Sequence, residues 1–250
     1  MNIRAKIPEA RAGTRVLHDL VDKDPVRIRY AEGTGSDLVI SFSSIGRKRN
    51  QMPPDEFLGT VLGDPARHAL FVSDLSRSWM NDPTLRDALS KTVTTLVKKT
   101  RIARVSTLGL SLGAFSALTC STLFPVHAAL AISPQFSMQP GAIKGERRWT
   151  YWRKQIKDFD VETAEVTPPP AMSFLLHGLE NDTEHMRAFT PRGGLDQFGF
   201  EGQSHSTLGA HLKDANVLPM LLSAAINHDR RRVARLVKQA DGDWRGAFED

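Results

Sequence analysis

The sequence predicts an α/β protein in which a mostly parallel central sheet carries helices on both faces. Three observations lead there. Short apolar runs bounded by turn residues alternate with stretches whose apolar positions recur at helical spacing, and each parallel connection needs such a crossover. The segment Val105-Ser106-Thr107-Leu108-Gly109-Leu110-Ser111-Leu112-Gly113-Ala114 runs an apolar strand straight into Gly-x-Ser-x-Gly and on into a helix. Polar residues recur just past the strand ends, at Ser43, Asp74, Ser111 and Ser133, along the edge where ligands collect in such sheets.

Taken in order, Pro8 to Leu20 reads as a short amphipathic helix and Pro25 to Tyr30 as a first, peripheral strand. Asp37 to Phe42, bounded by Gly35 and Gly46, has the continuous apolar character of a strand covered on both faces, and His68 to Ser73 is the next such run. Leu85, Ala88, Leu89, Val93, Leu96 and Val97 trace one face of a helix over Thr84 to Lys98, with Asp82-Pro83 as its start signal. Ile102 to Leu108 is the strand before the Gly-x-Ser-x-Gly turn, and Ala114 to Leu123 is the helix after it. Ala128 to Ile132 and Ala171 to Leu176 supply two more buried strands. Between them lies an irregular insert, residues 137–170, with a helix-like stretch Glu146 to Ile156 and a close on Pro168-Pro169-Pro170. Helix-like Thr183 to Phe189, a strand at Phe198-Gly199-Phe200 and a basic helix over His228 to Lys238 complete the pattern.

Composition narrows the class. At 250 residues, with 40% hydrophobic and 24% charged residues, the chain suits one domain over residues 1–250 with the insert as a short lid. No run approaches the roughly 18 apolar residues that span a bilayer. Met1 to Pro8 lacks the apolar stretch of a secretory leader, so a cytoplasmic protein is expected. The single cysteine, Cys120, reads as a small buried hydrophobe. The net charge of +5 is spread along the chain without a nucleic-acid motif, so no nucleic-acid partner is expected. No phosphate-binding glycine loop and no metal-ligand spacing stands out, and neither cofactor nor metal is expected. The sequence does not define an oligomeric state.

A serine on so tight a strand-to-helix turn sits in strained backbone, and the flanking positions must be glycine where strand and helix approach, as Gly109 and Gly113 are. Such a serine attacks an acyl carbon only if a base takes its proton and a buried acid orients that base. Of the eight histidines, His205 lies on the loop after the last apolar strand and just before a helix, where a base for Ser111 belongs. His211 is its rival, a turn and a half into that helix. The acid belongs on the loop after the preceding strand, where Asp182 is favoured over Glu180. Asp182 also has the position of a helix N-cap.

With the order Ser111, Asp182, His205, the chain resembles the α/β-hydrolase superfamily over roughly residues 38–225. The resemblance implies the α/β-hydrolase fold and an oxyanion hole with one donor from the backbone N–H of Leu112. The second donor is implied in Ser43-Ser44-Ile45-Gly46, where members often carry His-Gly. Ser44 is the working choice, with Ser43 and Ile45 open and otherwise facing substrate. The implied activity is that of a serine hydrolase, a serine esterase in type, with a small-molecule acyl substrate. An acyltransferase with the same triad, or a scaffold kept for binding after losing its chemistry, are the alternatives. Trp79 is a candidate to line the substrate pocket, alongside Arg77, and the basic, aromatic run Arg147 to Lys154 suits a lid above it.

Overall fold

A computed structural model describes residues 15–248. The chain opens with strands β1 (His18–Lys23) and β2 (Val26–Ala31), then β3 (Asp37–Phe42), the short helix α1 (Leu58–Leu62), β4 (His68–Asp74), α2 (Pro83–Lys99), β5 (Arg104–Leu110) and α3 (Leu112–Thr119). There follow β6 (Ala128–Ile132), α4 (Thr150–Arg153), β7 (Met172–Gly178), α5 (Thr183–Ala188), β8 (Leu195–Phe200), α6 (Leu208–Asp214), α7 (Leu218–Ile226), α8 (Arg230–Gln239) and β9 (Asp243–Trp244). The nine strands among the described residues form one sheet in the order β1-β2-β4-β3-β5-β6-β7-β8-β9. From β4 to β8 the neighbours are parallel, and β1, β2 and β9 pair antiparallel at the edges.

Two apolar layers sandwich the sheet. Leu38, Ile40 and Phe42 of β3 join the side chains of α2 and α3 on one face. Val39, Leu108 and Leu130 join α1, α6, α7 and α8 on the other. Covered on both sides, the central strands are buried almost throughout, which is why they read as unbroken apolar runs. Helix α2 shows how locally each cover is specified. The Asp82 carboxylate accepts the Thr84 N–H at 2.7 Å and Pro83 fills the first turn. Leu85, Leu89, Val93 and Leu96 then turn inward, each contributing roughly 1.5–3 kcal/mol of burial.

Among the departures from the sequence reading, three have a clear physical reason. Of the helix expected over Pro8 to Leu20, everything up to residue 14 lies outside the described residues, as does Met1 to Pro8, the stretch read as lacking a secretory leader. From His18 the chain is strand β1, because pairing along β2 satisfies its backbone at the sheet edge. The helix expected over Glu146 to Ile156 contracts to α4, since Glu146 folds back to accept the Arg148 N–H and Trp149 takes the left-handed conformation at φ 56°. Helix α7, buried nearly all round, carries no stripe that periodicity would reveal. No helix among the described residues is long and apolar enough to cross a membrane.

Candidate active site

The centre of the site is the turn between β5 and α3. Ser111 stands there at φ 58° and ψ −120°, held by its N–H donating to Ile132 O of the adjacent strand at 2.9 Å. The two flanking glycines are steric necessities. A Cβ on Gly109 would lie 2.1 Å from the carbonyl oxygen of Gly113, and one on Gly113 would lie 2.3 Å from Phe42 O at the end of β3. That close approach brings the segment after β3 against the head of α3, whose first N–H groups, that of Leu112 among them, have no partner within the helix.

Ser111 Oγ lies 2.7 Å from His205 Nε2, and His205 Nδ1 lies 2.8 Å and 3.0 Å from the two carboxylate oxygens of Asp182. All three side chains are buried. Asp182 occupies the N-cap position of α5 yet makes no capping bond, which leaves its carboxylate to side-chain partners, the imidazole first among them. Burial pushes the Asp182 carboxyl up, but the hydrogen bond and charge of His205, followed by the charge of Arg148, outweigh it and hold the group below the usual carboxylate range. Asn181 steadies the His205 loop by accepting the His205 backbone N–H at 2.7 Å. Glu180, the other candidate acid, is exposed. His211 turns its Nε2 to Ala240 O at 2.8 Å.

The insert between β6 and β7 reaches the same chain of groups. Arg148 Nη1 donates to Asp182 Oδ1 at 2.9 Å while its other nitrogens hold Glu146. Glu146 also meets His185 Nε2 at 2.9 Å. Burial would raise the Glu146 carboxyl, and the bonds from His185 and Arg148 instead bring it down to about 2. The Trp149 ring packs on the His205 ring with centroids 4.7 Å apart. From the end of β6, Gln135 Nε2 donates to Ser111 Oγ at 3.0 Å.

A cavity of about 800 Å³ opens on Ser111 and His205, walled by Ile45, Met52, Pro53, Leu110 and Trp149. Ser44 lies in its lining, but its hydroxyl is 2.5 Å from Glu56 Oε1 and its backbone amide also faces that carboxylate. Burial raises the Glu56 carboxyl despite these bonds. Two expectations are corrected here. Ser43 does not line the cavity: its N–H continues the sheet ladder to Val72 O, and its hydroxyl is used by Pro54 O and Ser73. Trp79 is fully buried in the apolar layer, where the left-handed turn of Arg77, Trp79 and Met80 folds it inward. Arg77 lies at the cavity, yet its guanidinium is spent on the carbonyls of Ile45, Leu75, Lys48 and Gln51, which pins the loop after β3.

Comparison with solved structures matches this arrangement of strands and helices. The capsule O-acetyltransferase of Neisseria meningitidis serogroup A aligns over 82% of this chain and 93% of its own, at 12% identity and a TM-score of 0.55. An N-acyl homoserine lactonase solved with N-hexanoyl homoserine aligns over 83% and 96%, at 13% identity and 0.52. A 2,6-dihydroxy-pseudo-oxynicotine hydrolase aligns over 92% and 68%, at 15% identity and 0.50. The chain has the α/β-hydrolase fold. At such identities the likeness is one of fold alone. No protein-family model and no curated protein sequence matches the chain.

Within the α/β-hydrolase fold, sequence reasoning missed Gln135, Glu56 and the contact of Arg148 with Asp182. Gln135 follows the end of β6 by three residues, so the rule that ligands collect beyond strand ends already pointed to its segment. Arg148 was visible only as one cation in a basic stretch. Among the described residues, no group of three or more His, Cys, Asp or Glu side chains is placed to hold a metal ion.

Proposed function

We propose that the protein is a serine hydrolase that cleaves an ester or related acyl bond of a small molecule through an acyl-enzyme on Ser111. The observation that carries this reading is the unbroken chain Asp182, His205, Ser111 at a strained elbow facing a cavity. In the first step Ser111 Oγ bonds to the acyl carbon while its proton passes to His205 Nε2, and the carbonyl electrons move onto oxygen. The backbone N–H of Leu112 is one donor for that oxygen. Ile45 is the second by elimination, since the Ser43 N–H is in the sheet and the Ser44 amide faces Glu56. The bond to the leaving alcohol then breaks, and His205 gives it the proton. Water next loses a proton to His205 and attacks the acyl carbon, and Oγ departs with that proton restored. Asp182 holds the imidazole and balances its charge throughout. The same reading takes the chain as one catalytic domain with residues 137–170 as a lid-like insert.

Transfer to an alcohol in place of water is the second reading. It is favoured by the size of the cavity beside Ser111 and by a fold neighbour that is itself an O-acetyltransferase. A fluorophosphonate probe is expected to label the wild type and leave Ser111→Ala unlabelled; a folded wild type that takes no label sinks the enzyme reading. Product analysis with competing alcohols separates water from an acceptor hydroxyl.

A further inference from the structure

We propose that Gln135 is a catalytic residue of this site: its amide donates to Ser111 Oγ and so dictates that the serine proton points at His205. This rests on Ser111 being the nucleophile. The Gln135 side chain is fully buried, and its backbone is clamped on both sides. Ser133, at φ 47°, donates its N–H to Leu176 O at 2.7 Å, and the Phe136 N–H donates to His185 Nδ1 at 2.9 Å.

The direction of each hydrogen bond follows from the chemistry of the groups. An indole N–H only donates. Trp79 Nε1 faces one end of the Gln135 amide at 3.4 Å, so that end is the oxygen and the NH₂ faces Ser111. The serine oxygen, already accepting from Gln135, has one proton, and the remaining neighbour within reach is His205 Nε2 at 2.7 Å. Nε2 is an acceptor because Asp182, an acceptor only, accepts the Nδ1–H hydrogen bond and so keeps the ring proton on Nδ1. A reversed amide would set its NH₂ against the Trp79 N–H, leaving buried donors unpaired at a cost of about 1–3 kcal/mol. It would also offer Ser111 a competing acceptor.

Two consequences follow for catalysis. One serine lone pair is held by Gln135, which leaves a single lone pair for the acyl carbon and thereby fixes the face from which the substrate carbonyl must approach. As the hydroxyl proton leaves for His205, negative charge grows on Oγ, and the Gln135 N–H is aimed at that charge. The same bond assists Oγ when it departs during deacylation. No proton leaves Gln135. Trp79 acts through Gln135 and is a positioning residue: its indole N–H keeps the amide in the donating orientation.

The test is the second-order rate of fluorophosphonate labelling in wild type, Gln135→Met, Gln135→Glu and Trp79→Phe, each checked for folding by circular dichroism. Gln135→Met removes the donor and is expected to slow labelling about 10- to 100-fold. Gln135→Glu keeps the volume and still accepts from Trp79, so it serves even where the Met variant does not fold. Its carboxylate accepts the serine O–H hydrogen bond in place of His205 Nε2, and its negative charge favours the protonated form of His205 with a proton from solvent, so its labelling falls as well and the acid limb of its pH profile moves up. Trp79→Phe is expected to show a smaller loss, with the acid limb unmoved. Labelling of both Gln135 variants within about twofold of wild type, with Ser111→Ala unlabelled, overturns the proposal. A wild type that takes no label removes the nucleophile itself and this proposal with it.

Discussion

The two sides of the Ser111 hydroxyl are built by different means. On the side of β3 and α3 the main chain does the positioning: Gly113 packs against Phe42 O, Gly109 packs against Gly113, and the Ser111 N–H is tied to β6. On the side of the insert the positioning is done by side chains, with Gln135, Arg148 and Trp149 reaching the serine, the carboxylate and the imidazole. Close main-chain packing leaves no volume to give, so a disturbance there is paid in stability. Side-chain contacts loosen one at a time, so a disturbance there changes the chemistry while the fold stands.

The sharpest way to break this contrast is Gly113→Ala. The new methyl would meet Phe42 O at 2.3 Å, and either β3 or α3 must shift. Denaturant unfolding is expected to show a loss of about 3 kcal/mol or more; a loss below about 1 kcal/mol would mean that the elbow yields after all.

The end of β7 is tested by pH. His177 is fully buried there, and burial drives its imidazole from an ordinary 6.5 down to about 3. The native state therefore keeps it neutral, while the unfolded chain takes up the proton first as pH falls. Stability from this group is complete above about pH 6.5 and is lost progressively toward pH 3, by a few kcal/mol in all. Denaturation midpoints measured across this range should flatten on the acid side in His177→Gln.

The smallest effect is expected at the insert. In Arg148→Met the Asp182 charge is no longer shared with a guanidinium, so the imidazolium of His205 is held more strongly. The acid limb of kcat/KM should move up by as much as about one pH unit, with activity near neutrality down about tenfold and the unfolding midpoint little changed. An unshifted profile would make the insert a cover alone.

These regions also differ in what a reader of the sequence can see. The strands β3 to β7 and helix α2 announce themselves because burial on two faces demands unbroken apolar runs, and a capped, striped helix demands period and punctuation. Ser111, Asp182 and His205 were legible for a related reason: each stands just past a strand end, and a parallel sheet carries all such ends to one edge. The insert obeys no period. Its groups are placed by contacts with partners far along the chain, so Arg148 could be recognised as a cation but not as the neighbour of Asp182. Trp79 misled because a strand-end aromatic suits a pocket wall, whereas the left-handed turn around it buries the ring.

By itself, then, the order of residues determined the α/β architecture, the glycine-flanked serine and the loops that carry His205 and Asp182, because these depend on periodicity and local backbone strain. Tertiary structure alone set Asp182, and not Glu180, against His205, turned Ser43 and Trp79 away from the cavity and set Gln135 against the serine oxygen. Those outcomes depend on distances between side chains separated by tens of residues, and a hydrogen bond, which acts only within about 3 Å, leaves no trace in a linear pattern.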